Sequence, residues 1–137
     1  MVLWRWLPTI LQRSSPREKS VSVAFAADSR TLFYAVEEVE TKRPYRLYRH
    51  PLGEADGTLV LEETDERFNL GVHLSRSRAF LVAVSGSHTA TEVRLLPADR
   101  PHDELRIVAP RRPEHEYDVD DVGGTLYIRS NRTGRNF

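Results

Sequence analysis

The sequence predicts an all-β protein: an arc of a β-propeller with about two and a half four-stranded antiparallel blades over residues 21–137. Three observations carry this prediction. Short runs rich in Val, Leu, Phe and Tyr recur from Val21 onward, each too short for an ordinary helix. Gly, Pro, Asp and Ser sit where the runs stop. The runs also repeat with a period of 46 to 48 residues, within the length of a propeller blade.

The expected strands, in order, are Val21 to Phe25, Thr31 to Val36, Tyr45 to His50, Thr58 to Glu62, Phe68 to Leu74, Ala79 to Val84, Glu92 to Leu96, Leu105 to Ala109, Tyr117 to Asp121 and Thr125 to Arg129. Ala27-Asp28-Ser29, Pro51-Leu52-Gly53, Ser85-Gly86-Ser87, Pro97-Ala98-Asp99 and Gly123-Gly124 supply turns between them. Thr31-Leu32-Phe33-Tyr34 aligns with Ala79-Phe80-Leu81-Val82 at an offset of 48, and that run with Thr125-Leu126-Tyr127-Ile128 at 46. Leu47 to Pro51 aligns with Val93 to Pro97, and Leu59-Val60-Leu61 with Leu105-Arg106-Ile107, both at 46. A sandwich has no reason to repeat in this way. Closed propellers use about 4 to 8 blades, so the chain reads as an arc whose open edges predict self-association.

The chain has 137 residues, 20 basic against 20 acidic side chains and no cysteine. Zero cysteines exclude a disulfide scaffold, a thiolate nucleophile and a cysteine metal site, and fit a cytoplasmic protein. Charge balance argues against a nucleic-acid surface. The balance is uneven along the chain: residues 1–20 carry four basic side chains and one acidic, the rest 16 basic and 19 acidic. Met1 to Leu11 is apolar but broken by Arg5 and Pro8, with no cleavage site after it, which makes it a poor signal peptide. No run reaches the roughly 20 apolar residues of a membrane span. Residues 1–20 are therefore expected to be a disordered or weakly helical extension, with a membrane-surface helix as the alternative.

No residue qualifies as catalytic, cofactor-binding or metal-binding. The G-x-S-x-G pentapeptide of an α/β-hydrolase nucleophile is absent. Ser85-Gly86-Ser87-His88 sets a serine beside a histidine, but a triad also needs an oriented base and an oxyanion hole; it reads as a hairpin loop. Asp118-Val119-Asp120-Asp121-Val122-Gly123 lacks the spacing and distal Glu of a calcium loop. It reads as a strand with Tyr117, Val119 and Asp121 on one face and Asp118 and Asp120 on the other. His50, His73, His88, His102 and His115 are scattered, mostly as surface or loop residues, with no pair spaced for zinc. Arg43, Arg46, Arg49, Arg111 and Arg112 are interspersed with Glu37, Glu38, Glu40 and Glu114, as on a solvated, salt-bridged face.

Several ordered segments carry a family resemblance. They are Asp28 to Tyr34, Arg43 to His50 with Leu52-Gly53, Asp65-Glu66-Arg67-Phe68-Asn69-Leu70-Gly71, Ser75-Arg76-Ser77-Arg78, Thr91 to Leu96, Glu116-Tyr117-Asp118-Val119 and Tyr127 to Asn131. Together they resemble the propeller of the prolyl oligopeptidase family of serine peptidases, and within it oligopeptidase B most, over about Ala26 to Phe137. The resemblance implies a seven-bladed propeller that gates short peptides to a hydrolase domain carrying Ser, Asp and His, with cleavage after Lys or Arg. That domain is not in this sequence, so the chain is expected to be an inactive fragment without cofactors, whose parent takes peptide substrates. Upstream of Ala26 the family pattern stops, which suggests a remnant of a longer gene joined to unrelated sequence. The alternatives are a free-standing interaction module that assembles with copies of itself, or assembly with a partner carrying the rest of the peptidase.

Overall fold

The computed structural model describes residues 19–132, so most of the expected extension over residues 1–20 lies outside the described residues. Ten strands and no helix are found there: β1 (Lys19–Phe25), β2 (Thr31–Glu37), β3 (Pro44–Pro51), β4 (Thr58–Glu62), β5 (Asn69–Leu74), β6 (Phe80–Gly86), β7 (Thr91–Pro97), β8 (Arg106–Ile107), β9 (Tyr117–Val122) and β10 (Thr125–Ser130). All ten expected strands are present, most with ends shifted by one or two residues. They form a sheet β1-β2-β3-β4, a sheet β5-β6-β7-β8 and a hairpin β9-β10. Every pairing is antiparallel between chain neighbours. Two complete four-stranded blades and half of a third are thus stacked face to face.

Turn chemistry makes the hairpins. Asp28 Oδ1 accepts from the backbone N–H groups of Arg30 (2.8 Å) and Thr31 (2.9 Å), closing the β1–β2 turn. In the second blade Ser77 Oγ accepts from Ala79 N at 3.1 Å. Ser29 and Arg78 follow these side chains with φ of +55° and +66°. Gly123 and Gly124, both at positive φ, give the two-residue turn whose twist suits a hairpin.

The core lies between blades because each sheet buries both faces. Ala24, Phe33 and Leu47 of the first blade meet Leu70, Val72, Leu81, Ala83 and Leu96 of the second. On the other side of the second blade, Val82, Val93 and Leu95 meet Tyr117 and Val119 of the third hairpin. Leu32, Tyr34 and Val36 form a third cluster on the first blade's remaining face, with Tyr48 stacked on Tyr34 at 5.5 Å. Gly57 permits a close approach here, since a Cβ on it would lie 2.8 Å from the Tyr34 hydroxyl.

The structure corrects the repeat by one residue. Leu81 and Ala83 of β6 lie on the face of their blade turned toward the first blade, and Leu32 and Tyr34 of β2 lie on the corresponding face of theirs, the one turned away from the second blade, so Leu32 is equivalent to Leu81 and the offset between these strands is 49. Alignment at 48 matches similar residues but reverses their faces, because strand side chains alternate with period 2. The β3-to-β7 offset of 46 holds: Leu47 and Val93 both face the following blade.

Hydrogen bonds fasten the blades edge to edge. Ala27 N donates to Ala98 O at 2.8 Å and Val72 N to Ser22 Oγ at 3.1 Å. Between the second blade and the third hairpin, Thr91 Oγ1 both donates to Tyr117 O (2.9 Å) and accepts from Tyr117 N (2.7 Å). The Tyr117 hydroxyl donates to Ala109 O at 2.6 Å and accepts from Val93 N at 2.7 Å. Tyr117→Phe keeps the ring but leaves these backbone groups buried without a partner, which costs about 2 kcal/mol. A lowered urea midpoint with unchanged slope is the expected reading; an unchanged midpoint would contradict the role given to the hydroxyl.

Candidate functional site

Two kinds of loop gather at one end of the arc. They are the β2–β3 and β6–β7 hairpin loops and the blade-to-blade connections over residues 63–68 and 108–116. Between them lies a cleft of about 560 Å³ lined by Arg67, Phe68, His88, Arg111, Arg112 and Glu114, among others. This end face is the candidate site, because loops on a rigid strand scaffold are where a β fold places its recognition residues.

An ion cluster shared by successive blades forms its base. Glu63 follows β4, Glu92 lies on β7, and Arg111 follows β8. Arg111 Nη2 donates to Glu63 Oε1 at 2.5 Å and to Glu92 Oε1 at 3.0 Å; Nη1 reaches Glu63 Oε2 at 3.2 Å. The Arg111 backbone N–H donates to Glu92 Oε2 at 3.0 Å, and Arg94 pairs with the same carboxylate at 2.8 Å. The guanidinium carbon of Arg111 sits 4.0 Å from the Phe68 ring centroid, a cation–π contact. Both carboxyl groups are buried, which works against their charge, but the Arg111 hydrogen bonds overcome this and hold both below the ordinary carboxylate range.

Arg43 serves the same end differently. Its Nη1 donates to the backbone carbonyls of Glu63 (3.2 Å), Asp65 (3.2 Å) and Phe68 (2.9 Å), so one side chain shapes the connection between blades. The sequence alone assigns the arginines to a solvated, salt-bridged face beside Glu37, Glu38, Glu40 and Glu114. Arg46 does form an exposed-type pair, with Glu62 at 2.9 Å. Arg111 instead pairs inward with Glu63 and Glu92, and Arg49 reaches the Pro101 carbonyl of the next blade at 3.5 Å. These inward partners escape a sequence reading because they come from other blades. The one local signal is Glu92 and Arg94 two apart on a strand, which puts them on the same face.

The other singled-out residues stay apart. Ser87 Oγ accepts from the backbone of Thr89 and Ala90 inside its own hairpin, and His88 is exposed beside it. Asp120 accepts from Arg76 N at 3.0 Å, and Asp121 is buried and bonded to Ser77, so these acids dock β9 on the β5–β6 turn. Tyr117, Val119 and Asp121 share the buried face, as expected. Among the histidines, His73, His88 and His102 are exposed, but His50 is only 1% exposed and bonds Glu54 O through Nε2 at 2.9 Å. His115 Nε2 meets Ser130 Oγ at 2.9 Å. That pair lacks a group to orient the base, since His115 Nδ1 has no hydrogen-bond partner, and the Ser130 oxygen also accepts from Arg132 N at 3.2 Å. Among the described residues no group of three or more His, Asp or Glu is placed to hold a metal. The end face is built for shape and for holding loops, with Glu63, Glu92, Arg94 and Arg111 paired among themselves.

A protein of this construction is a section of a multi-bladed β-propeller whose loops converge on one end. Residues 10–137 match the family model described as prolyl oligopeptidase, N-terminal beta-propeller domain, and the chain belongs to that family. It is 32% identical over 130 residues to a dipeptidyl aminopeptidase BI from Pseudoxanthomonas mexicana, covering 93% of this chain and 17% of that protein. It is 36% identical over 109 residues to Protease 2 from Moraxella lacunata, covering 77% and 16%. Oligopeptidase B from Leishmania major superposes with a TM-score of 0.75 at 29% identity, over 82% of this chain and 16% of that one. The chain therefore spans about a sixth of the length of these relatives.

Proposed function

We propose that this chain is the part of an oligopeptidase B-like serine endopeptidase that helps its propeller admit short peptides to a Ser/Asp/His hydrolase domain, and that it hydrolyses nothing alone. The observation that carries this reading is the 0.75 TM-score to oligopeptidase B over 82% of the chain. The end face supports it: the loops can frame an opening, and none of the described groups is arranged for acyl transfer. The relatives are named both as a dipeptidyl aminopeptidase and as Protease 2. The structural likeness to oligopeptidase B favours the endopeptidase, with cleavage after Lys or Arg. The sequence contains no cysteine, and among the described residues no helix is long and apolar enough to cross a membrane. Both fit the cytoplasmic placement we assign.

Incubation of the purified chain with a fluorogenic arginyl peptide is expected to give no turnover above buffer. Turnover abolished by an active-site serine reagent would overturn the inactive reading. For the gating role, the whole peptidase containing this section is expected to cleave a short arginyl peptide at least tenfold faster than the same sequence held within a folded protein. Equal rates would refute it.

A further inference from the structure

We propose that Arg43 is a positioning residue of the peptide entrance: by gathering three backbone carbonyls of the connection over residues 63–68, it fixes one wall of the end-face cleft and sets how wide a substrate that end admits. The inference rests on the peptidase reading.

Arg43 does not itself line the cleft, whereas Glu66, Arg67, Phe68 and Asn69 do. It acts through the backbone behind them. Its Nη1 lies 3.2, 3.2 and 2.9 Å from the carbonyl oxygens of Glu63, Asp65 and Phe68, so oxygens from both ends of the connection and from its middle converge on a single nitrogen. Converging carbonyls repel one another, and hydrogen bonds from a charged donor are strong enough to hold them together. The donor arrives on a closed loop. Glu38 N–H donates to Arg43 O at 2.8 Å and Lys42 N–H to Glu38 O at 3.0 Å, and Lys42 takes a φ of +58° to make the turn. On the cleft side Arg67 pairs back with Asp65 at 2.7 Å and keeps its side chain 80% exposed. The side chains that a substrate would meet therefore stand on a segment whose shape depends on Arg43.

The other connection, over residues 108–116, is held differently. The β6–β7 loop, Ser87 to Ala90, carries no arginine or lysine. The backbone there is bonded by the Tyr117 hydroxyl at Ala109 and by Glu92 at Arg111. Removing the Arg43 side chain would free one wall of the cleft and leave the other in place. Displacements of about 1 Å far from the chemistry are enough to change rates.

In the 137-residue chain, Arg43→Ala should speed hydrogen exchange at the Phe68 amide, which bonds Asp65 O, at least tenfold while β6 and β7 stay unchanged. Guanidinium chloride at millimolar concentration, far below its denaturing range, should restore slow exchange by filling the vacated carbonyl site. Exchange that stays slow in the variant, rises throughout the chain, or is not restored by guanidinium would overturn the proposal. In the whole peptidase containing this section, Arg43→Ala should keep kcat on the short arginyl peptide within twofold. Discrimination against the same sequence held in a folded protein should fall from at least tenfold to below threefold. Unchanged discrimination, or an equal loss of rate on both substrates, would overturn the positioning role and leave the peptidase reading standing. Lack of discrimination in the unsubstituted peptidase would overturn both.

Discussion

Arg111→Ala should destabilise the chain by about 3 kcal/mol, because removing one partner of a buried ion cluster leaves the other charges uncompensated. Glu63 and Glu92 keep 5% and 7% of their side-chain surface in solvent. Without Arg111, Glu63 loses its guanidinium partner and Glu92 retains only Arg94. The loss also removes the contact over Phe68. Arg111→Lys should recover only part of it, since an ammonium cannot reproduce the two-nitrogen fork that meets Glu63. Urea unfolding at neutral pH measures the difference. Unchanged stability in the alanine variant would show that the cluster is incidental to blade packing.

The same cluster sets an acid limit. Glu63 and Glu92 have folded-state affinities for protons below their ordinary value of 4.5. Their contribution is therefore fully present above that value and is lost as pH falls through the lower folded-state range. Stability of the parent chain should fall below about pH 4.5 more steeply than that of a Glu63→Gln, Glu92→Gln variant, which has already lost the titrating groups.

Strands were legible because strand formation leaves a local record. Thr31 to Val36 and Thr125 to Arg129 show β-branched and aromatic residues between turn formers, and both are strands within a residue of the expected ends. Register was less legible, since the residues that look alike in β2 and β6 are one place from those that do the same job. The turn settles it: Ser29 and Arg78, both at positive φ, are 49 apart. His50 shows the same logic. At the end of an expected strand and taken alone it passes for a surface residue, but its repeat partner at an offset of 46 is Leu96, a core residue. The Glu63–Arg111 pair left no such record, because its partners are 48 residues apart and join different blades. Only the packed structure brings them together.

Phe33→Ala should have the largest effect of a single substitution, about 4 kcal/mol, and its meaning depends on a second variant. Phe33 is 1% exposed between the first and second blades, touching a cluster that includes Leu81 and Leu96. Truncating it removes an aromatic ring from a close-packed interface and leaves a cavity. Tyr127 occupies the same position of the repeat on β10, facing away from the second blade, and is 59% exposed. Tyr127→Ala should therefore change stability by no more than about 0.5 kcal/mol. Strand propensity lost by the two substitutions is similar, so the difference between them measures what the following blade contributes to an equivalent side chain. Paired urea curves give that difference directly. If Tyr127→Ala proved as costly as Phe33→Ala, the face of β10 opposite the second blade would have to be packed in solution, against the 59% exposure of Tyr127.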